Sequence, residues 1–168
     1  MKRRRPRRKP SGRLALSHVD ARGRVRMVDV GEKPETARAA VAEAVVAISA
    51  AARRAIDQRA IRKGDPLQTA RVAGIMAAKR TADLIPLCHP LPISHVDVEL
   101  IRARGGYRIT ARVGTVARTG GEMEALVAVA AAALTLYDML KAIDRAITIG
   151  PVRLMEKHGG RSGSYRRS

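Results

Sequence analysis

Aromatic side chains are almost missing from this sequence, which has three tyrosines, no phenylalanine and no tryptophan in 168 residues. Proteins that bind single-stranded nucleic acid usually stack the bases on aromatic rings, so this composition argues against such a function. The single cysteine, Cys88, excludes an internal disulfide and any metal site built from several cysteines. The longest apolar run, Ala125–Leu134, has ten residues, fewer than the roughly 18 that a transmembrane helix needs. We therefore expect a cytoplasmic protein without a membrane span.

The common motifs for bound cofactors and for hydrolysis are also absent. The sequence contains no GxGxxG, GxxxxGK[ST], HExxH, CxxC or GxSxG pattern. Their absence removes the usual dinucleotide-binding, P-loop, zinc and hydrolase interpretations. We expect neither a cofactor nor a metal ligand in this chain.

Positive charge is abundant but unevenly distributed, since about two thirds of the net charge of +18 lies at the two ends of the chain. Residues 1–13 hold eight Lys or Arg and no acid, whereas residues 14–152 carry a net charge of only +6. The basic arm at 1–13 lacks apolar side chains to bury, so we expect it to be disordered. We interpret it as a solvated extension. The alternative is a nucleic-acid-binding module built from this arm and the basic C-terminal residues.

Hydrophobic periodicity in the second half of the chain predicts an α+β fold. Two runs of alternating apolar residues flank Gly105–Gly106, which predicts a β-hairpin over residues 96–113. A long apolar helix from Glu122 to about Arg145 would cover the hairpin, and residues 147–154 would add a last strand. Antiparallel strands packed on helices make an α+β domain.

The first half of the chain is less regular. Residues 38–48 fit a helix or a strand, and Ser49 as the N-cap of a helix over 50–61 favours the strand. Asp65 and Pro66 are typical of a helix start, and we expect that helix to reach about Asp83. Three prolines within residues 85–92 predict an ordered loop. Residues 16–30 suggest an extended segment or a short strand.

Several polar side chains are candidates for binding, each with a structural alternative. His89 in the proline-rich loop is either a buried, hydrogen-bonded histidine or an imidazole aimed at a ligand, and the sequence leaves both open. Lys63 and Lys79 are either surface charges or ligands for phosphate oxygens. Glu122 and Glu124 open the long helix, where the helix dipole favours acids in any case.

Asp138 and Lys141 are candidates for acid–base chemistry. They lie three residues apart and therefore share one face of the long helix. Because that helix is almost entirely apolar, we expect the pair to sit in a largely desolvated setting, where a carboxylate and an amine are suited to proton transfer. The alternative is an ordinary ion pair on the surface.

A series of short runs then occurs in one order along the chain. The runs are His18–Asp20, Met27–Val30, Lys63–Asp65, Ala77–Thr81, Leu84–Leu91, Gly121–Leu126, Tyr137–Met139 and Ile149–Leu154. In this order the sequence closely resembles the MoaC family of cyclic pyranopterin monophosphate synthases. The likeness extends over residues 16–163, and LIPLCHPL together with GEMEAL is highly specific.

The resemblance implies a fold, an assembly and a reaction. The fold would be a ferredoxin-like antiparallel sheet packed on helices, with one catalytic domain at 14–163 and a flexible tail at 164–168. The assembly would be a homohexamer, a trimer of dimers, with the active site at a subunit interface. The enzyme would be a lyase of molybdenum cofactor biosynthesis. It would convert 3′,8-cyclo-7,8-dihydro-GTP to cyclic pyranopterin monophosphate, release pyrophosphate and need no redox cofactor.

The resemblance also implies which residues carry the reaction. Catalysis falls on Lys63, Asp138 and Lys141. Substrate binding falls on Arg38, Lys79, Leu87, Cys88, His89, Glu122, Met123 and Glu124. Among these we expect Lys79 and His89 to hold the charged phosphates. Because the residues come from separate segments of a small domain, we expect the site to be built across two chains.

Overall fold

The computed structural model describes residues 19, 20 and 22–168, so the predicted basic arm lies outside the described residues. The helices and strands follow one another as β1 (Thr36–Ala47), α1 (Ala50–Asp57), α2 (Pro66–Ala78), α3 (Thr81–Leu84), β2 (Ile93–Ala103), β3 (Gly106–Ala117), α4 (Glu122–Leu140), β4 (Thr148–His158) and β5 (Tyr165–Arg166). The predicted hairpin is β2 and β3, and the strand-then-helix interpretation of the first half is confirmed by β1 and α1.

Within the described residues, the strands form one sheet in the order β2-β3-β1-β4-β5, and all neighbours are antiparallel. β1 lies at the centre and pairs with β3 along its whole length, from Thr36 opposite Ala117 to Ala47 opposite Gly106. Two crossovers, β1-α2-β2 and β3-α4-β4, bring α2 and α4 together against the sheet. The expected α+β fold is confirmed, and its strand order is ferredoxin-like.

Small aliphatic side chains fill the core between the sheet and the two long helices. Every second residue of β1 from Ala40 to Val46 is fully buried there. Where α2 crosses α4, a Cβ atom added to Gly74 would lie 2.9 Å from the Ala128 carbonyl oxygen and 3.3 Å from the Ala132 Cβ atom. The two helices therefore meet with hardly any side chain between them.

The central helix α4 is long and apolar enough to cross a membrane by length and composition alone. Half of that stretch is buried inside this fold. Its buried side chains, such as Val129 and Leu136, pack in the core formed with the sheet and α2. We therefore describe α4 as the core helix of the domain.

Helix starts match the sequence prediction, whereas three helix ends do not, and the first of these is the end of α1, which lies at Asp57 and not at residue 61. The Ser49 side chain accepts a hydrogen bond from the Ala52 amide at 3.2 Å, and Asp65 accepts one from Leu67 at 2.9 Å. The helix expected to reach Asp83 ends instead at Ala78. The buried Thr81 hydroxyl donates to the Ala78 carbonyl at 3.0 Å, which satisfies a helix-end acceptor and lets the short α3 begin.

The helix expected to reach Arg145 ends at Leu140. The buried Asp144 carboxylate accepts hydrogen bonds from the Ser49 amide at 2.6 Å and the Ala146 amide at 3.0 Å. These bonds tie the chain after α4 to the β1–α1 connection, and they hold the pKa of Asp144 below its usual value against the opposing effect of burial. A contact between residues so distant in sequence overrides the local helical pattern.

Short pairings of extended backbone occur in both end segments. In the N-terminal segment expected to be extended or a short strand, the described residues form an isolated bridge between Val19 and Val25. In the segment 164–168, expected to be a flexible tail, Tyr165–Arg166 pairs with the outer edge of β4. This pairing satisfies backbone groups that an edge strand would otherwise leave open.

The contact at Gly74 leads to a stability prediction. Gly74→Ala should destabilise the protein by about 1–2 kcal/mol, because overpacking costs roughly 1–3 kcal/mol and helix propensity returns only about 1 kcal/mol. Urea unfolding measures the difference. Met76→Ala, on the exposed side of the same helix, is the control and should stay within about 0.5 kcal/mol of the parent. A Gly74→Ala protein as stable as the parent would contradict the close crossing.

Candidate active site

A cavity of about 390 Å³ lies at the start of α4. Its walls come from the N-terminal segment, the proline-rich loop, the turn after β3 and the first turn of α4. The lining residues are Val28, Val30, Lys33, Leu87, Cys88, His89, Leu91, Thr119, Gly120, Glu122, Met123 and Glu124. The structure therefore brings six of the eight predicted substrate-binding residues to one place.

Local hydrogen bonds hold the proline-rich loop against the start of α4. The Cys88 amide donates to the Ile85 carbonyl at 3.0 Å, which closes a turn just before His89. At the other end of the loop, the Thr115 hydroxyl donates to the Pro92 carbonyl at 2.8 Å and anchors the loop on β3. His89 thus lies in a fixed loop and lines the cavity, which favours the ligand-binding alternative.

Burial shifts two titratable groups in the cavity wall. Glu124 is only 3% exposed, and desolvation, assisted by the neighbouring charge of Glu122, raises its pKa above that of an ordinary glutamate. Desolvation and the nearby Glu124 also raise the pKa of the Cys88 thiol. Cys88 therefore stays protonated at neutral pH and is a poor nucleophile. Glu124 is the carboxyl group of this cavity that takes up a proton most readily.

Two lysines at the cavity were not predicted as site residues. Lys33 lines the cavity directly. Lys157 on β4 is mostly buried, and its Nζ atom lies 3.8 Å from the Glu122 carboxylate. Lys33 follows the matching run Met27–Val30 and Lys157 follows the run that ends at Leu154, so extending those runs by three residues would have included both.

Arg38 and Lys79 lie outside the cavity lining. The Arg38 guanidinium donates from Nε to the Ala117 carbonyl at 2.9 Å and from Nη2 to the Arg118 carbonyl at 3.1 Å. It therefore holds the end of β3, directly before the cavity residue Thr119. Lys79 is the exposed C-cap residue of α2. Because α2 runs antiparallel to α4, this end of α2 lies beside the start of α4.

The predicted catalytic residues form a second cluster at the other end of α4. The Lys63 Nζ atom donates to both the carboxylate and the carbonyl oxygen of Asp138 at 3.0 Å. The Lys141 Nζ atom lies 2.8 Å from the other carboxylate oxygen. All three side chains are about half exposed, so the expected desolvated setting is not found in the single chain. Asp138 and Lys141 lie on the solvent-facing side of the end of α4, whereas the neighbouring Met139 and Leu140 are buried.

The two lysines decide the charge of Asp138. Hydrogen bonds from Lys141 and then Lys63 lower the pKa of Asp138 to about 2, and the same pairing raises the pKa of Lys141. At neutral pH the cluster therefore holds one carboxylate between two ammonium groups. Asp138 is suited to orient the lysines, and the lysines are the groups that carry a proton to give.

Lys63, Asp138 and Lys141 together form the lysine cluster. Within one chain, this cluster lies far from the cavity. Glu124 and Asp138 are separated by fourteen residues of continuous helix, or about 21 Å at a rise of about 1.5 Å per residue. A general acid acts within roughly 3 Å of its target or through one water. The two sets of residues cannot act on the same atoms from a single chain.

Comparison with known proteins identifies the family. The sequence profile of the MoaC family matches residues 27–160. The chain belongs to the MoaC family. It is 58% identical over 154 residues to the cyclic pyranopterin monophosphate synthase of Thermomicrobium roseum, covering 90% of this chain and 93% of that protein. It is 54% identical over 156 residues to cyclic pyranopterin monophosphate synthase 1 of Mycobacterium bovis, covering 92% of each chain.

A third MoaC-family relative supports the same assignment. The cyclic pyranopterin monophosphate synthase of Parvibaculum lavamentivorans is 52% identical over 153 residues, covering 90% of this chain and 96% of that protein. The matched region includes both clusters on α4. Within the part of the chain that the structure describes, no three His, Cys, Asp or Glu side chains gather closely enough to hold a metal.

The lysine cluster leads to a titration prediction. Carbon-detected NMR should show the Asp138 carboxyl group titrating near pH 2, and in a Lys63→Met, Lys141→Met double variant its pKa should return toward the ordinary value of about 3.9. Because the folded-state pKa is the lower one, the stabilisation from this cluster is complete above the unfolded-state pKa and is lost as the pH falls toward 2. An Asp138 pKa near 4 in the parent protein would contradict the two-lysine contact.

Proposed function

We propose that this protein is a cytoplasmic cyclic pyranopterin monophosphate synthase of molybdenum cofactor biosynthesis. Its substrate is 3′,8-cyclo-7,8-dihydro-GTP, and residues 14–163 form the catalytic domain. The observation that carries the proposal is the gathering of Leu87–His89 and Glu122–Glu124 around one cavity, together with a lysine pair held by Asp138. Relatives that share more than half of their residues with this chain over nearly its full length carry that name.

The cavity end of α4 is assigned to substrate binding. Binding of a triphosphate needs several cations and N–H donors. His89 and Lys33 line the cavity, and Lys157 and Lys79 lie near it. Lysines bind phosphate oxygens as point charges. We assign capture of the phosphates to His89 and Lys79, as the family resemblance implies, and add Lys33 and Lys157 to this group.

The lysine cluster is assigned to proton transfer. Formation of the cyclic phosphate breaks the bond to pyrophosphate, and the accompanying ring rearrangement moves several protons. Lys141 is the proton donor, because Asp138 stays ionised at neutral pH and has no proton to give. Asp138 keeps the ammonium groups of Lys63 and Lys141 on either side of its carboxylate. Lys63 serves both binding and chemistry.

The complete site combines two chains of a homohexamer that is a trimer of dimers. The cavity end of one chain faces the lysine cluster of its neighbour, because the two are about 21 Å apart along α4. The surface beside the cluster supports this arrangement. Leu134 lies one helical turn before Asp138 on the same face and is 62% exposed, so an approaching copy would bury it.

Turnover of the synthetic substrate tests the function. The purified protein should convert 3′,8-cyclo-7,8-dihydro-GTP to cyclic pyranopterin monophosphate and release pyrophosphate. Asp138→Asn and Lys141→Met should keep the oligomer and substrate binding but lower kcat by roughly 10²–10⁴-fold. The double variant should lose little more, because the two residues act as a unit.

Two results would count against these assignments. If the folded parent protein leaves the substrate unchanged, the proposed function is wrong. If the parent is active and either folded single variant turns over normally, the ion pair is structural and proton transfer belongs elsewhere in the site.

Subunit mixing tests the shared site. Inactive His89→Ala protein mixed with inactive Asp138→Ala protein should regain part of the activity, because some sites then combine an intact cavity with an intact lysine cluster. Lys63→Ala mixed with Asp138→Ala is the matched control and should stay inactive, since both changes lie in the same cluster. Mass spectrometry verifies that the subunits have exchanged. If the mixture of His89→Ala and Asp138→Ala protein stays inactive after verified exchange, the two-chain site is excluded.

A further inference from the structure

A glycine-rich turn follows β4 directly and has no role in the assignments above. We call residues 159–163 the C-terminal turn. Gly159, Gly160 and Gly163 all have positive φ angles, of +88°, +75° and +65°. The Gly163 amide donates to the Gly160 carbonyl at 3.1 Å and closes the turn. Residues with a Cβ atom rarely adopt such angles, so the path of the turn depends on its glycines.

Gly160 packs directly on the guanidinium of Arg38. A Cβ atom at this position would overlap the Arg38 Nη1 atom and lie 2.9 Å from Cζ. The opposite edge of the same guanidinium donates to the carbonyls of Ala117 and Arg118. Arg38 is therefore clamped between the C-terminal turn and the end of β3, directly before the cavity residues Thr119 and Gly120.

The C-terminal turn contacts Arg38 and also Lys157, a second cationic side chain beside the cavity. The Ser162 hydroxyl is hydrogen-bonded to the Lys157 ammonium group, and Lys157 in turn faces the cavity residue Glu122. Lys157 pairs with Ala40 across the β1–β4 ladder, and Arg38 lies two residues before Ala40. The two cations therefore project from the same face of the sheet, the face against which α4 packs.

We propose that the C-terminal turn is a positioning element for substrate binding. Gly160 holds the guanidinium of Arg38, which in turn holds the end of β3 next to the cavity. Ser162 holds the ammonium group of Lys157 near Glu122. Long cationic side chains lose conformational entropy when they bind a ligand, and holding them in place beforehand lowers that cost. The turn acts through these two residues and does not touch the substrate. This inference rests on the proposed function, because it concerns the same cavity.

A pair of glycine variants separates this role from simple backbone strain. Gly160→Ala and Gly163→Ala both place a side chain at positive φ, but a Cβ atom at Gly163 meets nothing within 4 Å among the described residues. Gly160→Ala should raise KM by roughly two- to tenfold with kcat nearly unchanged. Gly163→Ala should alter KM by less than about twofold. Equal KM values for the two variants would overturn the proposal.

A serine variant keeps the test valid if Gly160→Ala does not fold. Ser162→Ala removes the hydroxyl contact to Lys157 without straining the backbone, and it should raise KM in the same way. Ser162→Thr, which keeps the hydroxyl, should restore the parent value. If Ser162→Ala binds substrate as tightly as the parent protein, the turn does not position Lys157 and the proposal fails.

Calorimetry with inorganic triphosphate makes the test independent of turnover. Gly160→Ala and Ser162→Ala should bind triphosphate more weakly than the parent protein, and Gly163→Ala should bind it as the parent does. If the parent protein and the three variants show these relative affinities for triphosphate but the parent does not turn over the substrate, the proposed function alone is refuted. Normal turnover with triphosphate affinity unchanged in every variant would refute the positioning role alone.

Discussion

The close crossing of α2 and α4 at Gly74 determines where the functional residues lie. A sequence with almost no aromatic residues fills its core with alanine and valine, and such small side chains allow helix backbones to approach closely. The two crossovers make α2 antiparallel to α4, and the contact at Gly74 holds the helices in that arrangement. As a result, Lys63, which precedes α2, reaches Asp138 at the end of α4, and Lys79, which follows α2, lies at the start of α4. One backbone contact thus assigns these lysines to opposite ends of the same helix.

The separation of the two clusters follows from the burial of α4. Its core-facing residues, including Ala128, Ala132 and Leu136, are completely buried, and an isolated charge at those positions would have no compensating partner. The charged side chains of α4, which are Glu122, Glu124 and Asp138, all lie in its first and last turns. A helix of this length places those turns too far apart for one small molecule to contact both. In the proposed function, each chain therefore holds two partial sites, and association of two chains would complete them.

Sequence reasoning succeeded where the signal was local and failed where it was not. The caps Ser49 and Asp65 and the hairpin around Gly105–Gly106 lie within short stretches that carry their own pattern, and so does the proline-rich loop before β2. The end of α4 depends instead on a bond from Ser49 to Asp144, and the exposure of Asp138 depends on which face of the last helical turn packs on the core, since the adjacent Met139 and Leu140 are buried. The pairing of Lys63 with Asp138 spans 75 residues, so periodicity carries no information about it.

The two carboxylates at opposite ends of α4 have opposite proton affinities, and their surroundings explain why. Asp138 is solvated and held by two ammonium groups, which lowers its pKa to about 2. Glu124 is buried, and desolvation raises its pKa. Carboxyl groups whose surroundings move their pKa values apart commonly divide the acid–base roles of a site. In the proposed two-chain site, the ionised Asp138 would orient the lysine donors, and Glu124 would be the carboxylate better able to accept a proton. The acid–base asymmetry of the shared site is therefore already present in the environment of each separate end.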